Sequence, residues 1–391
     1  MQRARLTTLP PLTLYIHFPW CVKKCPYCDF NSHERAGGVT AIPEEAYVDA
    51  LIADLDRVVP QVWGRRVHAV FIGGGTPSLI GAGAIDRLLS AVRARLVLEA
   101  DAEITLEANP GTVEAERFAD YRALGINRLS LGIQSFDDRY LKALGRIHDG
   151  RDARQAVDIA MRHFDNVNLD LMYGLPGQDA VDAGCDVAIA RRFAPSHLSL
   201  YQLTLEPNTL FAKYPPRLPD EDVADAIDDA IAAGVASGGW RRYEVSAYAH
   251  AGRESRHNLN YWNYGDYLGI GAGAYGKLSF PDRIVRQTRI RNPDLYLERA
   301  AQDLSAFDEE EVDVEALPFE FMLNALRLVD GVPLRRFEER TGLPLSTIEA
   351  PLAVAESRGL IERDAVRVRA STRGLRFLND LQALFLPQAR D

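Results

Sequence analysis

An α/β fold carried by a parallel sheet, with a small α+β domain behind it, is the architecture this sequence predicts. Three observations point there. Short β-branched or aromatic runs alternate with longer amphipathic stretches through the first half of the 391-residue chain, and six such β-then-α units mean a parallel sheet. The runs end in Gly, Glu, Gln, Asp and Thr, so polar residues gather at one rim, as in a barrel or open barrel; a doubly wound sheet would give the same periodicity. Beyond the acidic stretch FDEEEVD the pattern reads helix, turn, helix, wing, as in a winged-helix-like α+β domain.

Taken in order, the strand candidates are Leu12 to Phe18, Val67 to Gly75, Glu103 to Pro110, Arg128 to Ser135, Asn166 to Gly174 and His197 to Thr204. Between them lie helix candidates at Pro43 to Val59, Gly83 to Leu98, Val113 to Leu124, Arg151 to His163 and Asp179 to Arg192. After Thr204 a Pro-rich passage carries an acidic run that caps a helix or faces solvent on one. The segment HNLNYWNYGDYLGIGAGAYG then brings a dense group of aromatics and glycines. FDEEEVD reads as a linker, followed by three helices, a hairpin in LIERDAVRVRAS and a last helix in LRFLNDLQALFL. These shifts divide the chain at 1–210, 211–308 and 309–391.

An apolar fraction of 47% can fill a sizeable core, and a formal net charge of -10 leaves no chain-wide positive field to gather nucleic acid. The C-terminal unit from Leu317 onward has eleven Arg against ten Asp plus Glu, so DNA binding has little electrostatic support there, and packing on the main domain is the expected use. No apolar run reaches bilayer length, the start lacks the apolar core of a secretory signal, and clustered thiols suit a reducing compartment; the reading is cytoplasmic.

The sharpest motif is Cys21-Val-Lys-Lys-Cys25-Pro-Tyr-Cys28, directly after the first strand. Spacings of three and two residues let one loop wrap three thiolates around a cube of iron and sulfide, leaving one iron open to a small chelating molecule. Zinc, completed by His17 or His33, and inert buried thiols are the other readings. Cys185, in DAGCDVAIA, reads as a helical core residue. Lys23 and Lys24 either offset a negative cluster or face solvent.

The cysteine motif, joined to FIGGGTPS, LEANP, RLSLGIQSFDD, LGRIH and NLDLMYGLPGQ, resembles the radical S-adenosylmethionine (SAM) superfamily. Within it the chain is similar to the oxygen-independent coproporphyrinogen III oxidases and the HemW-type haem chaperones. The resemblance implies a partial (β/α)6 barrel of radical SAM type. It also implies a [4Fe-4S] cluster on Cys21, Cys25 and Cys28 with SAM on the open iron, the cluster supplying an electron that breaks the sulfonium bond to leave a 5'-deoxyadenosyl radical. Gly74, Gly75 and Thr76 then serve the methionyl amino group, Glu107, Gln134 and Asp170 accept from or donate to the rest of SAM, and Arg146 suits its carboxylate. Tyr15 and Tyr27 carry over as aromatics beside the adenine or the cluster. No side chain is assigned a catalytic acid, base or nucleophile role.

Two departures separate the chain from the oxidases: Phe30 stands where they carry a fourth cysteine, and only about eleven residues precede Leu12. HNLNYW resembles the HNxxYW segment of the haem chaperones, which implies His257 as a haem ligand with Tyr261 and Trp262 as flat faces; the alternative is a polar residue beside packed aromatics. Three functions fit these residues: a SAM- and cluster-binding chaperone that passes haem to an acceptor haemoprotein such as a membrane-bound respiratory enzyme, an oxidase acting on coproporphyrinogen III or another radical SAM enzyme of porphyrin metabolism, and a regulator using its winged-helix-like tail. Cleavage of SAM would require an electron donor such as flavodoxin or ferredoxin.

Overall fold

The computed structural model describes residues 5–34, 41–111 and 117–387. β1 (Leu12–Phe18), β2 (Arg66–Gly74), β3 (Val97–Ala108), β4 (Arg128–Gln134), β5 (Val167–Tyr173) and β6 (His197–Gln202) lie side by side in chain order, each parallel to the next. The crossovers carry α1 (Glu44–Val58), α2 (Ala82–Arg95), α3 (Phe118–Ala123), α4 (Asp138–Ala143), α5 (Gly150–His163) and α6 (Ala180–Phe193). Of the helix expected from Val113, residues 113–116 lie outside the described residues. Cap chemistry sets the later helix starts: Asp149 and Asp152 form a reciprocal capping box on α5, and the Asp179 carboxylate accepts from the Asp182 N–H on α6.

Strand alternation sorts the two faces of this sheet. Leu14, Ile16, Ile72, Leu106, Leu129, Leu131, Leu169 and Leu198 pack against the helices in one large core. Their neighbours Thr13, Thr105, Asn168, His197 and Ser199 point to the other face and are also buried. That second face holds a closed chain of hydrogen bonds. Ser130 Oγ donates to Asp170 (3.0 Å), and Asn168 Nδ2 donates to Ser130 Oγ (2.7 Å) and Asp170 (2.9 Å). Asn168 Oδ1 must then accept, from Ser199 Oγ (3.0 Å) and from Nδ1 of His197 (2.6 Å), which leaves His197 Nε2 to accept from the Tyr243 hydroxyl (2.8 Å).

The sheet extends past the expected six strands at both ends. β7 (Arg241–Glu244) and β8 (Ala247–Ala249) add antiparallel beyond β6. On the other side β9 (Asp266–Ile270) pairs parallel with β1, making a seventh parallel strand, and β10 (Tyr275–Ser279), β11 (Ile284–Arg289) and β12 (Phe307–Glu311) follow antiparallel. FDEEEVD is thus largely an edge strand rather than a linker: Arg286 lies opposite Glu310, and Gln287 Nε2 donates to Glu309 at 2.9 Å. Its charges also blunt the exposed sheet edge. The acidic run after Thr204 forms a helix at Glu221–Ser237, capped by Asp220.

The C-terminal unit has the expected order, with helices at Leu317–Ala325, Arg335–Thr341 and Ser346–Ser357, a hairpin of Ile361–Arg363 and Arg367–Ala370, then two short helices ending at Ala383. Its core of Phe321, Ile348, Leu352, Val368 and Leu381 is continuous with Tyr264 and Ile284 of the main sheet region. An Arg286–Glu320 ion pair at 2.7 Å crosses the same junction. Among the described residues no helix is long and apolar enough to cross a membrane.

Asp266, at the start of β9, is fully buried between Lys277 (3.0 Å) and Arg65 (2.8 Å). Removing one member of such a group strands the others in low dielectric at a cost of about 3–5 kcal/mol. Asp266→Ala should show that loss in urea denaturation; a change under about 1 kcal/mol would mean that the ion group does not hold β9 in place.

Candidate functional site

β1 runs straight into the cysteine loop. Trp20–Cys21 and His33–Glu34 pair with each other, so the loop closes on itself. Lys24 braces it, its ammonium donating to the carbonyls of Phe30 and Ser32 at 3.0 Å each. Lys24 is therefore a strut of the loop, whereas Lys23 stays exposed at the cavity edge. The Gly75 and Thr76 N–H groups donate to the carbonyls of Phe18 (2.6 Å) and Trp20 (2.8 Å), locking the end of β2 against the loop. Gly74 has φ +115°, and a Cβ there would meet the His17 ring at 2.5 Å; at Gly75 it would meet the Trp20 carbonyl at 2.5 Å. Close packing within the protein, not only room for a ligand, demands these glycines.

Cys21, Cys25 and Cys28 line one cavity of about 340 Å³. Tyr27, Gly74, Gly75, Thr76, Glu107, Gln134, Arg146 and Asp170 line it too, so the structure brings together every expected site residue except Tyr15 and His257. The Arg146 guanidinium donates to Asn109 Oδ1 (2.6 Å) and the Gly132 carbonyl (2.8 Å), and its Nη1 lies 3.6 Å from Cys25 Sγ. Asn109 Nδ2 in turn donates to Thr76 Oγ1 at 2.8 Å. Asn109 thereby ties β3 to the Gly-rich turn and to Arg146, a role that motif reading missed although it lies inside LEANP. Ser130 and Asn168, which hold Asp170, were also missed; their signal was the two-residue period that puts them on the face of Asp170.

Glu107 accepts from the Gly74 N–H at 3.0 Å, yet burial and then the neighbouring Asp170 push its carboxyl up to about 8. Asp170 is raised as well, chiefly by burial. Two carboxyls held in such a place favour a cationic or hydroxyl-bearing guest. Gln134 adopts φ 66° at the end of β4, a left-handed conformation that costs energy outside glycine. The Tyr27 ring sits against Phe211, and burial raises its hydroxyl.

Burial pushes the Cys21 thiol up to about 11, with the other two cysteines adding to the shift. Among the described residues no group of three His, Cys, Asp or Glu is gathered around the place of a single metal ion. A four-iron cube holds its thiolates apart around itself, so three thiols facing one cavity fit it. Arg146 Nε, buried without a partner beside Cys25, fits a negatively charged group at the same place. His17 is engaged otherwise, by the Tyr15 hydroxyl and the Asn31 carbonyl at 2.9 Å each. Cys185 is exposed on α6 and not in the core, because it falls on the solvent side of that helix.

A second cavity, about 710 Å³, adjoins the first, and Gly74, Glu107, Asp29 and Phe30 line both. Tyr15 and His257 belong here. His257 lies on a short helix, Arg256–Trp262, its ring 5.0 Å from that of Phe71 and 6.1 Å from that of Tyr15. Its Nδ1 is buried without a hydrogen-bond partner, and burial pushes the ring down to about 3, so it is neutral. Tyr261 lines this cavity, while Trp262 packs beneath the Arg327 guanidinium at 4.3 Å.

This fold and thiol-lined cavity define a radical SAM protein: residues 15–183 match the Radical SAM superfamily and residues 312–377 the HemN C-terminal domain. The described fold is similar to that of Escherichia coli coproporphyrinogen III oxidase (HemN), with a TM-score of 0.79 and 22% identity over 96% of this chain and 90% of that one. The chain is 48% identical to the heme chaperone HemW of Escherichia coli over 98% of this chain and 100% of the relative. It is 46% identical to the HemW of Haemophilus influenzae over 97% and 99%. The chain belongs to the HemW family.

The raised carboxyl of Glu107 has a consequence for stability. Between about pH 4.5 and 8 the folded chain keeps a proton that the unfolded chain releases, so Glu107 lowers stability progressively across that window. Glu107→Gln should therefore raise the Tm above pH 8 and leave it unchanged near pH 4. A variant no more stable than the parent at pH 9 would show that the carboxyl is not held in this environment.

Proposed function

We propose that the protein is a haem chaperone: it binds a [4Fe-4S] cluster and SAM in the first cavity, holds haem in the second, and passes the haem to an acceptor haemoprotein, of which a membrane-bound respiratory enzyme is one class. The observation that carries this reading is the shared wall. A thiol-lined cavity adjoins a separate aromatic cavity whose histidine is neutral and has an unpartnered ring nitrogen, the form of imidazole that ligates iron. Phe30, the residue at the position of the oxidases' extra cysteine, stands on that wall. Similarity to HemW relatives along nearly the whole chain supports the same reading.

In this reading Cys21, Cys25 and Cys28 hold the cluster, which when bound to SAM can supply the electron that cleaves its sulfonium bond. Glu107 accepts from a cationic part of SAM, Asp170 from hydroxyls, and Gln134 donates or accepts at the rim. Arg146 offsets negative charge beside Cys25. Met172 and Leu203 supply apolar wall that keeps water from the centre. We read the parallel sheet as a partial (β/α)6 barrel and the C-terminal unit as winged-helix-like, with divisions at 1–210, 211–308 and 309–391, in a cytoplasmic protein. A flavodoxin or ferredoxin is the class of donor needed where SAM is cleaved.

The test incubates anaerobically reconstituted, reduced protein with SAM and coproporphyrinogen III, and separately titrates it with haem. We expect no protoporphyrinogen IX, and stoichiometric haem uptake followed by transfer to an apo-haemoprotein. Sustained conversion of coproporphyrinogen would overturn the chaperone reading in favour of an oxidase. Cys21→Ala should abolish the iron-sulfur absorption, whereas Cys185→Ala should retain it.

A further inference from the structure

The second cavity has an aromatic wall inside and charged groups at its open edge, with the buried Glu107 carboxyl on the partition from the first cavity. Its inner part is walled by the rings of Tyr15, His257, Tyr261 and Tyr267. Its open edge carries Phe30, 59% exposed, and Tyr275, 51% exposed, together with Asp29 and Arg291. A flat ligand with an apolar body and charged groups on one edge enters such a space body first, leaving its charges at the mouth, because burying an unpaired charge among tyrosine rings is prohibitive.

Two guanidinium groups border this cavity. That of Arg286 is already held by Glu320 at 2.7 Å and by the Tyr267 hydroxyl at 3.1 Å. That of Arg291 has no ion pair or side-chain hydrogen bond among the described residues. Arg291 is nevertheless fixed in place, because its carbonyl accepts from Asn31 Nδ2 at 2.8 Å, and the same Asn31 side chain donates to the Ala272 carbonyl at 2.9 Å. Asn31 belongs to the cysteine loop, so the position of Arg291 is tied to the loop that frames both cavities. Burial is what chiefly lowers the basicity of the His17 ring, and the Arg291 charge adds only slightly to it. Asp29 is an opposing charge at the mouth.

We propose that Arg291 is the anchor for a carboxylate of the haem, setting the direction in which the macrocycle enters, with its carboxylate edge at the mouth and its iron toward His257. The proposal rests on the chaperone reading above and adds the group that orients the ligand. A planar guanidinium matches a carboxylate by paired donation, which an ammonium cannot fully reproduce.

Haem and haem dimethyl ester, in which the carboxylates are masked, separate this role from a structural one. Full-length parent protein, Arg291→Ala and Arg291→Lys are titrated with each ligand and followed by the haem absorption band. Loss of one charge-assisted hydrogen bond predicts that Arg291→Ala weakens haem binding about tenfold or more, leaves the ester's affinity unchanged, and is partly rescued by Arg291→Lys. Equal haem affinity in the parent and Arg291→Ala would overturn the assignment, as would an equal loss for haem and its ester. If the parent takes up no haem at all, the chaperone reading itself fails, an outcome distinct from the other two.

Discussion

A parallel sheet with two buried faces, one apolar and one polar, is the constraint on which the rest of the molecule depends. The apolar face asks only for helices to cover it. The polar face must satisfy most of its donors and acceptors within itself, since an unpaired polar atom there costs about 1–3 kcal/mol, and the Thr105 hydroxyl is left without a partner. Ser130, Asn168, Asp170, Ser199 and His197 meet that demand together, each fixing the proton or rotamer of the next. The Tyr243 hydroxyl that ends this chain also accepts from the Ser255 N–H at 3.3 Å, and Ser255 caps the helix that carries His257. One network therefore runs from the carboxylate at the rim of the first cavity to the base of the helix serving the second.

The same constraint explains why the thiol-lined cavity and the aromatic cavity are separate spaces at this end of the sheet. Tyr15 and His17 on β1 and Phe71 on β2 are large rings on the polar face, and they close off the space beside β9. Beyond them β2 ends in glycines, and the sheet opens again beneath the cysteine loop. Glu107 stands on the partition with its carboxyl donated to by Gly74, so a charge arriving in either cavity is felt by the same buried acid.

Most strand and helix positions were legible because period-two and helical patterns are local properties of the chain. Leu12–Phe18 and His197 onward needed no tertiary information to be recognised. β9 was not legible: Asp266–Ile270 is short, lies among glycines and aromatics, and becomes a strand only by pairing with β1. The acidic FDEEEVD segment likewise becomes β12 because a basic strand lies opposite. At the site, motif reading found the side chains that face the first cavity, but not Asn109 or Asn168, whose work is to hold other side chains. It also grouped Tyr15 with the first cavity, since distance along the chain from Cys21 does not show on which side of the Gly74 partition a ring falls. Cys185 was misjudged because a helix with small residues on several faces does not reveal which one turns to solvent.

The central claim is that an iron-sulfur site and a haem site share the wall formed by Gly74 and Glu107. Anomalous scattering at the iron edge, from crystals of the reconstituted and haem-loaded protein, tests it directly. The account predicts a compact multi-iron peak enclosed by Cys21, Cys25 and Cys28, and a separate single-iron peak beside His257 across that wall. Haem iron found away from the second cavity, or no iron among the three thiols, would contradict it.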